Sequence, residues 1–274
     1  MIPVVARPVI QFVVEAAVAS GIEQIILVTS SNCKPLEDYF DRNFELEAAL
    51  ERAGKTDLLA EVRGLSDLAD VAYVRQSEQL GNGHAVLMAR NVVGDEPFLV
   101  LWSDDIMLGD PPVARQLIDV AEKRGGPVVG VRRVPPEDYE KYGMLEVEPL
   151  ADGGDGGRTT RALRVIEKPK RDESPSDLAQ IGGFVLTPDV FPILAETQRG
   201  RGGEIWLADA LRELMSRRSV YAHEFEGTRY DAGNKLDYLR ATVELGLADP
   251  ELGPAFQEYL QGISSQGSVV KTAP

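Results

Sequence analysis

The sequence has little cysteine, no long apolar run and a shortage of positive charge. Cys33 is its single cysteine, which excludes a disulfide framework and a thiolate metal site and favours a reducing compartment. No apolar stretch reaches the length that crosses a bilayer, and the first residues lack the pattern of a secretory signal. We therefore expect a soluble, cytoplasmic protein.

The charge balance narrows the choice of partners. The 274 residues hold 44 acidic and 29 basic side chains, which gives a formal net charge of -15. Nucleic acid and anionic membranes would be repelled by this field, so we predict neither as a partner. An anionic small molecule would need locally placed cations or a metal ion.

The length and the hydrophobic content of 43% favour one large α/β domain. We predict a single domain over residues 1–263 and a flexible tail over residues 264–274, where the sequence reads SSQGSVVKTAP. A helical insertion is expected from Lys34 to about Gly64, because its apolar residues recur at helical spacing among many charges.

Strand-like and helical segments alternate through the first half of the chain. A helix in RPVIQFVVEAAVASG precedes the strand EQIILVT, and the strands VAYVRQ, PFLVLWS and PVVGVRRV follow between further helices. This order predicts a mostly parallel sheet with helices on both faces. After Pro135 the strands GMLEVEPL, RALRVIEKP and IGGFVLTPDVF come close together, which indicates antiparallel or mixed pairing. Two closing helices are predicted, at about 204–217 and 235–245.

Paired aspartates end the strand in PFLVLWSDD. Ligands of open α/β sheets bind beyond the carboxyl ends of strands, so Asp104 or Asp105 could hold a metal or a substrate. Asp231, in RYDAGNK, is a second candidate, and two carboxylates from distant segments are what Mg²⁺ commonly takes from a protein. An equally good explanation of the paired aspartates is that one caps the next helix and the other faces solvent, and helix capping is the alternative for Asp231.

The segment RQSEQLGNGHAV offers an amide and two glycines ahead of a helix. Gln76 could read the edge of a base, and Gly81 and Gly83 would allow close approach of the backbone. A tight turn between strand and helix accounts for the glycines just as well. The chain's two histidines, His84 and His223, receive no role, and His84 is interpreted as a cap or packing residue.

Two further segments carry charges that suit a sugar phosphate. Glu167 and Lys168 end a strand in VIEKPK, where a carboxylate could hold hydroxyl groups and an ammonium could hold a phosphate. Glu204 follows glycines in GGEIWLADAL and is expected to begin a helix. The alternatives are a solvated surface pair for Glu167 and Lys168, and an ordinary acidic helix start for Glu204.

Seven motifs follow one another along the chain: LGNGHAV, LWSDD, YGMLEVE, EKPK, GGFVL, GGEIWLADAL and DAGNKLDY. Their order resembles that in bacterial UTP-glucose-1-phosphate uridylyltransferases, the UDP-glucose pyrophosphorylases. The resemblance implies a Rossmann-like nucleotidyltransferase fold. It also implies Mg²⁺-dependent synthesis of UDP-glucose and pyrophosphate from UTP and glucose 1-phosphate. The helical insertion is similar to this group rather than to the related thymidylyltransferases.

The resemblance also implies roles for eight residues. By their match to the family's motifs, Gln76 and Gly81 are expected to bind the uracil, and Asp104 and Asp231 the magnesium ion. The glucose is expected to contact Gly143, Glu167 and Glu204, and the sugar phosphate to contact Lys168. Lys168 and Asp104 are the residues expected to act in catalysis. Members of the family are commonly homo-oligomers, so a dimer or tetramer is expected.

The family begins with a central strand and a glycine-rich loop that have no counterpart in these 274 residues. We therefore expect the first central strand to be missing, and the activity of the chain as written is doubtful on this basis. A glucose-1-phosphate thymidylyltransferase and a non-catalytic sugar-nucleotide-binding or partner subunit are the alternative functions.

Overall fold

The computed structural model of the chain describes residues 1–31 and 33–266. Within these ranges the strands are β1 (Pro3–Val4), β2 (Arg7–Pro8), β3 (Gln24–Thr29), β4 (Asp70–Arg75), β5 (Phe98–Val100), β6 (Asp105–Leu108), β7 (Val128–Arg133), β8 (Gly143–Pro149), β9 (Thr159–Glu167), β10 (Leu178–Leu186), β11 (Val220–Glu224) and β12 (Thr228–Asp231). The helices are α1 (Val9–Ala19), α2 (Lys34–Phe40), α3 (Phe44–Arg52), α4 (Thr56–Ser66), α5 (Asn82–Met88), α6 (Arg90–Val93), α7 (Val113–Arg124), α8 (Val190–Glu196), α9 (Leu207–Arg217), α10 (Lys235–Ala248) and α11 (Gly253–Gln266).

The main sheet has six strands in the order β5-β10-β7-β11-β9-β8. β7 and β11 are parallel neighbours, whereas β10 runs antiparallel to β5, β7 and β8, and β9 runs antiparallel to β8 and β11. β5, β7, β8 and β11 therefore share one direction, and β9 and β10 run the other way. The predicted mixed α/β sheet, with most strands in one direction, is confirmed.

Three strand pairs lie outside this sheet. β3 and β4 pair in parallel, β6 and β12 pair antiparallel, and β1 and β2 form a short antiparallel pair. In the described part of the chain β3 pairs only with β4, and β5 pairs only with β10, so each has one edge without a strand partner. The apolar side chains Ile25, Ile26 and Val28 of β3 are only half-buried. That the first central strand of the family is missing from this chain stays a prediction.

Helix α1 follows from local signals that the sequence displays. Pro8 lies at its N-cap, where a missing N–H costs nothing, and the chain leaves the helix through Gly21 at φ +93°. Its apolar face, with Ile10, Val13 and Val14, packs with Leu27 of β3. Burial of each such side chain contributes about 1.5–3 kcal/mol, which fixes α1 against this strand.

The predicted helical insertion forms α2, α3 and α4, and a buried carboxylate joins them. Glu47 of α3 is 3% exposed and accepts hydrogen bonds from Arg42 Nη2 at 2.5 Å and from Arg63 Nε at 2.9 Å. These two hydrogen bonds, of which the one from Arg42 has the larger effect, lower the pKa of Glu47 to about 2. The insertion is therefore held by a charged cluster as well as by its apolar residues.

The predicted ends of the last helices differ from those observed. Helix α9 begins at Leu207, so Glu204 lies in the loop before it, and α8 and α11 have no predicted counterpart. Helix α11 extends to Gln266, three residues into the predicted tail, and residues 267–274 lie outside the described residues. No helix within the described ranges is both long enough and apolar enough to cross a lipid bilayer.

Candidate active site

The two carboxylates predicted to bind metal meet at Gly233. Asp104 follows β5 and Asp231 ends β12, and the Ala232 N–H donates to the Asp104 carbonyl at 2.8 Å. A Cβ placed on Gly233 would lie 3.0 Å from Asp231 Oδ1 and 3.5 Å from Asp104 Oδ2. The two side chains therefore point into one small space, which a side chain at residue 233 would enter.

Of the paired aspartates, Asp104 is exposed and Asp105 is buried. Asp105 is 2% exposed, and Arg229 Nη2 lies 2.5 Å from its Oδ1. Burial raises the pKa of Asp105 to about 6 although Arg229 lowers it. Arg229 Nη2 also lies 3.5 Å from Asp231 Oδ2, so the buried pair supports a carboxylate of the candidate metal site. Sequence reasoning missed Arg229, whose contacts with Asp105 depend on the β6–β12 pairing.

Gln76 lies just beyond the end of β4, where its N–H donates to the Thr29 carbonyl at 2.8 Å. Its side-chain Nε2 donates to the Gly81 carbonyl at 3.1 Å and contacts His84 Nδ1 at 2.9 Å. The two residues predicted to bind uracil are thus hydrogen-bonded to each other. His84, interpreted from the sequence as a cap or packing residue, directly contacts one of them.

The main chain of Gly81 packs against the loop that carries Glu204. Gly81 has φ +98° and ψ 177°, a conformation that favours glycine. A Cβ there would lie 2.8 Å from Glu204 Cβ and 2.8 Å from the Ile205 carbonyl oxygen. The segment predicted to bind the nucleotide and the residue predicted to bind the sugar are therefore in contact.

Three hydrogen bonds join the same two loops, which we call the 80–83/204–207 junction. Gly83 N–H donates to the Ile205 carbonyl at 2.9 Å, and Ile205 N–H donates to the Leu80 carbonyl at 2.7 Å. The Leu207 N–H, at the start of α9, donates to Asn82 Oδ1 at 2.9 Å. The junction gives several main-chain groups of both loops fixed partners.

Gly143 and Glu167 are directly opposite each other in the β8–β9 pair. Gln180 Nε2 donates to Glu167 Oε2 at 3.3 Å, and the Gln180 side chain occupies the space that a Cβ on Gly143 would need. Burial raises the pKa of the half-buried Glu167, whereas the neighbouring Lys168 lowers it. Two of the residues predicted to bind glucose therefore share one surface of the sheet.

Lys168 connects that surface to the 204–207 loop. It adopts φ +47°, and its N–H donates to the Tyr142 carbonyl at 3.0 Å. Its Nζ lies 5.2 Å from the centre of the Trp206 ring, within the range of a cation–π contact. The Tyr142 hydroxyl in turn lies 3.5 Å from Arg229 Nη1, so contacts continue from Lys168 towards Asp231.

All eight residues predicted from the family resemblance thus lie along one continuous series of contacts. His223 is separate from this series: it is buried in β11 with its Nδ1 2.9 Å from Thr159 Oγ1, and burial lowers its pKa. The described residues contain no cluster of three or more metal-binding side chains. Asp104 and Asp231 alone suit a hard cation that takes one or two carboxylates and completes its shell with phosphate and water.

Comparison with known proteins gives one consistent family. The family model described as Nucleotidyl transferase matches residues 1–246. UTP–glucose-1-phosphate uridylyltransferase YngB of Bacillus subtilis (strain 168) is 44% identical over 96% of this chain and 87% of its own length. A second B. subtilis protein, described as UTP–glucose-1-phosphate uridylyltransferase, is 43% identical over 98% of this chain and 90% of its own length.

Solved structures agree with these relatives. A UTP-bound UGPase from Acinetobacter baumannii superimposes with a TM-score of 0.86 at 38% identity, covering 95% of this chain and 90% of that one. A putative glucose-1-phosphate thymidylyltransferase from Bacillus anthracis has a TM-score of 0.68 at 19% identity, covering 89% of this chain and 84% of that one. The second similarity establishes a shared fold only.

Proposed function

Because this chain belongs to the nucleotidyl transferase family, and within it to the UTP–glucose-1-phosphate uridylyltransferases, we propose that it joins UTP and glucose 1-phosphate to give UDP-glucose and pyrophosphate. The observation that carries the proposal is the contact of Gly81 with Glu204. A transferase must hold its two substrates side by side, and this contact brings the candidate nucleotide and sugar segments together.

The reaction makes modest chemical demands on the protein. A phosphate oxygen of glucose 1-phosphate attacks the α-phosphorus of UTP, and the bond from that phosphorus to the bridging oxygen of the leaving pyrophosphate breaks. The attacking oxygen is already ionised, so no general base is needed. Catalysis then consists of alignment and charge neutralisation, and the Lys168 ammonium is the candidate group for the sugar phosphate.

Asp104 and Asp231 are the candidate ligands of a divalent metal, which nucleotidyl transferases generally use, and we propose Mg²⁺. Their oxygen donors and their meeting at Gly233 support this assignment. When bound, the ion would neutralise phosphate charge. Arg229, held by Asp105, keeps the Asp231 carboxylate facing this space from the protein side.

The remaining roles are those of orientation. We propose that Gln76 and Gly81 bind the uracil edge and that Gly143, Glu167 and Glu204 bind the glucose. The half-buried Glu167 carboxylate, next to Gly143 across the β8–β9 pair, suits a pair of sugar hydroxyls. We also propose a single domain and a homo-oligomer, and the scarcity of cysteine supports a cytoplasmic location.

The test is UDP-glucose formation from UTP, glucose 1-phosphate and Mg²⁺, with dTTP assayed in parallel to examine the thymidylyltransferase alternative. Gln76→Ala should raise KM for UTP, whereas Lys168→Ala should impair the use of glucose 1-phosphate. Lys170→Ala, an exposed lysine two residues away, is the matched control. Equal effects of the Gln76 and Lys168 variants on both substrates would contradict the assignment.

A further inference from the structure

The side-chain amide of Gln76 is held in one of its two possible orientations. Its Nε2 lies 3.1 Å from the Gly81 carbonyl oxygen, which can only accept a hydrogen bond. The nitrogen of the amide must therefore face Gly81, and the oxygen must face away. Among the described residues no group donates to Gln76 Oε1, which leaves this acceptor for another molecule.

His84 supplies the second contact that fixes this orientation. Its Nδ1 lies 2.9 Å from Gln76 Nε2, so the second hydrogen of the amide is donated to the ring. Nδ1 must then be the accepting nitrogen, and the neutral ring carries its hydrogen on Nε2. His84 is in the first turn of α5, and the preceding Gly83 N–H is bound to the Ile205 carbonyl. The acceptor is thus attached to a fixed main chain.

We propose that His84 is a positioning residue that determines base selectivity by keeping Gln76 Oε1 directed at the base. The proposal rests on the proposed function, in which Gln76 meets the nucleobase. Uracil presents an N3–H donor that pairs with Oε1, whereas cytosine presents an unprotonated N3 acceptor that would be repelled. Thymine shares the N3–H of uracil, so this device selects against cytosine and not against thymine.

The selectivity arises from the cost of rotating the amide. A half-turn of the Gln76 amide would offer Nε2 to a cytosine N3, but it would place Oε1 against both the Gly81 oxygen and His84 Nδ1. The Gly81 oxygen would repel Oε1, and His84 would have to move its hydrogen from Nε2 to Nδ1, so both residues oppose that rotation. Loss of the His84 acceptor leaves one contact, so the rotated amide becomes more accessible and cytosine becomes a better ligand.

The test is the ratio of dissociation constants for CDP-glucose and UDP-glucose, measured by calorimetry on the intact chain. His84→Leu removes the acceptor, and the ratio should fall on the order of fivefold, as expected for loss of one hydrogen bond. His84→Asn is the conservative control, because its Oδ1 can occupy the place of Nδ1, and it should keep most of the ratio. If His84→Leu melts at a lower temperature than the wild type, His84→Phe replaces it.

The outcomes separate this inference from the proposed function. Turnover of UTP by the wild-type chain tests the function, whereas the binding ratio tests His84. The inference would be overturned if the ratio of dissociation constants were unchanged in His84→Leu and His84→Phe. It would also be overturned if His84→Asn lowered the ratio as much as they do. It would also be overturned if the wild-type chain bound both sugar nucleotides equally tightly or bound neither.

Discussion

The substitution Gly81→Ala tests the 80–83/204–207 junction, because it adds one carbon atom where the two loops are in close contact. That carbon would lie 2.8 Å from Glu204 Cβ, 2.8 Å from the Ile205 carbonyl oxygen and 3.1 Å from the Ile205 nitrogen. Two of these atoms are main chain, so a side-chain rotation cannot remove the clash. One loop must move away from the other.

The expected loss of stability has two parts. Alanine at φ +98° and ψ 177° costs about 1–3 kcal/mol of backbone strain. Overpacking at a well-packed contact costs about 1–3 kcal/mol more. The total of about 2–6 kcal/mol corresponds to a decrease in Tm of roughly 5–20 °C, at about 2–4 °C per kcal/mol for a chain of this size.

Gly94→Ala is the matched control. Gly94 also has a positive φ, +67°, but no heavy atom lies within 4 Å of the position of its added Cβ. With ψ -130°, Gly94 lies outside the left-handed helical region, so this variant has a backbone cost of about 1–3 kcal/mol, like that of Gly81→Ala, and no contact cost. The difference in Tm between the two variants therefore measures the contact between the loops rather than the conformation of a glycine.

The assay combines thermal melting with initial rates of UDP-glucose formation. Separation of the two loops should raise KM for UTP and for glucose 1-phosphate together, because each loop carries a candidate binding residue. The reasoning would be refuted if Gly81→Ala melted no lower than Gly94→Ala, or if KM rose for UTP alone.

Three further predictions test other parts of the site and of the insertion. Arg229→Met should lower the free energy of unfolding in urea by about 3–5 kcal/mol, because it leaves the buried Asp105 carboxylate without its partner. Adding Asp105→Leu should recover much of this loss, and purely additive losses would argue against a coupled pair. The pKa of Glu47 is lowered to about 2 in the folded chain, so its stabilising contribution is complete above the ordinary value of about 4.5 and disappears as the pH falls towards 2. Glu47→Gln should therefore flatten the dependence of Tm on pH in that window, and a slope equal to that of the wild type would exclude the Glu47 cluster as its source. Trp206→Leu removes the ring beneath Lys168 Nζ and should weaken glucose 1-phosphate binding by about 2–5-fold in calorimetry, with UTP binding unchanged.

The sequence predicted the helices and strands whose signals are local. Helix α1 and strands β3 and β4 have apolar runs or clear stop signals, and the helical insertion has apolar residues at helical spacing. Strands β6 and β12 were missed because each has only four residues, and their pairing joins parts of the chain far apart in sequence. Such short strands form through their partner rather than through their own propensity.

The start of α9 shows how a distant contact sets a local boundary. Acidic Glu204 after two glycines is typical of a helix start, yet the helix begins at Leu207 because Asn82 Oδ1, 125 residues away, accepts the Leu207 N–H. The residue pattern likewise left the choice between Asp104 and Asp105 open, and only the family resemblance selected Asp104. The choice depends on Arg229, which reaches Asp105 only after β6 and β12 have paired.

The family resemblance identified the eight candidate residues, but their contacts with one another are tertiary. Gly81 and Glu204 come together because two loops hydrogen-bond to each other. The contact between His84 and Gln76 likewise depends on the turn at Gly81, whose conformation two glycines in a motif do not specify. Residue types were therefore predictable, whereas the geometry that relates them was not.

Among the described residues, β3 and β5 each have one edge without a strand partner, which has a consequence for how copies of this chain behave in solution. A strand edge exposes alternating N–H and C=O groups, which can pair with the same edge of another molecule. The net charge of -15 keeps molecules apart at low ionic strength. Added salt shortens the range of this repulsion, to about 10 Å at 0.1 M. We therefore expect self-association to increase with salt, so that light scattering by a concentrated sample rises on adding sodium chloride instead of falling.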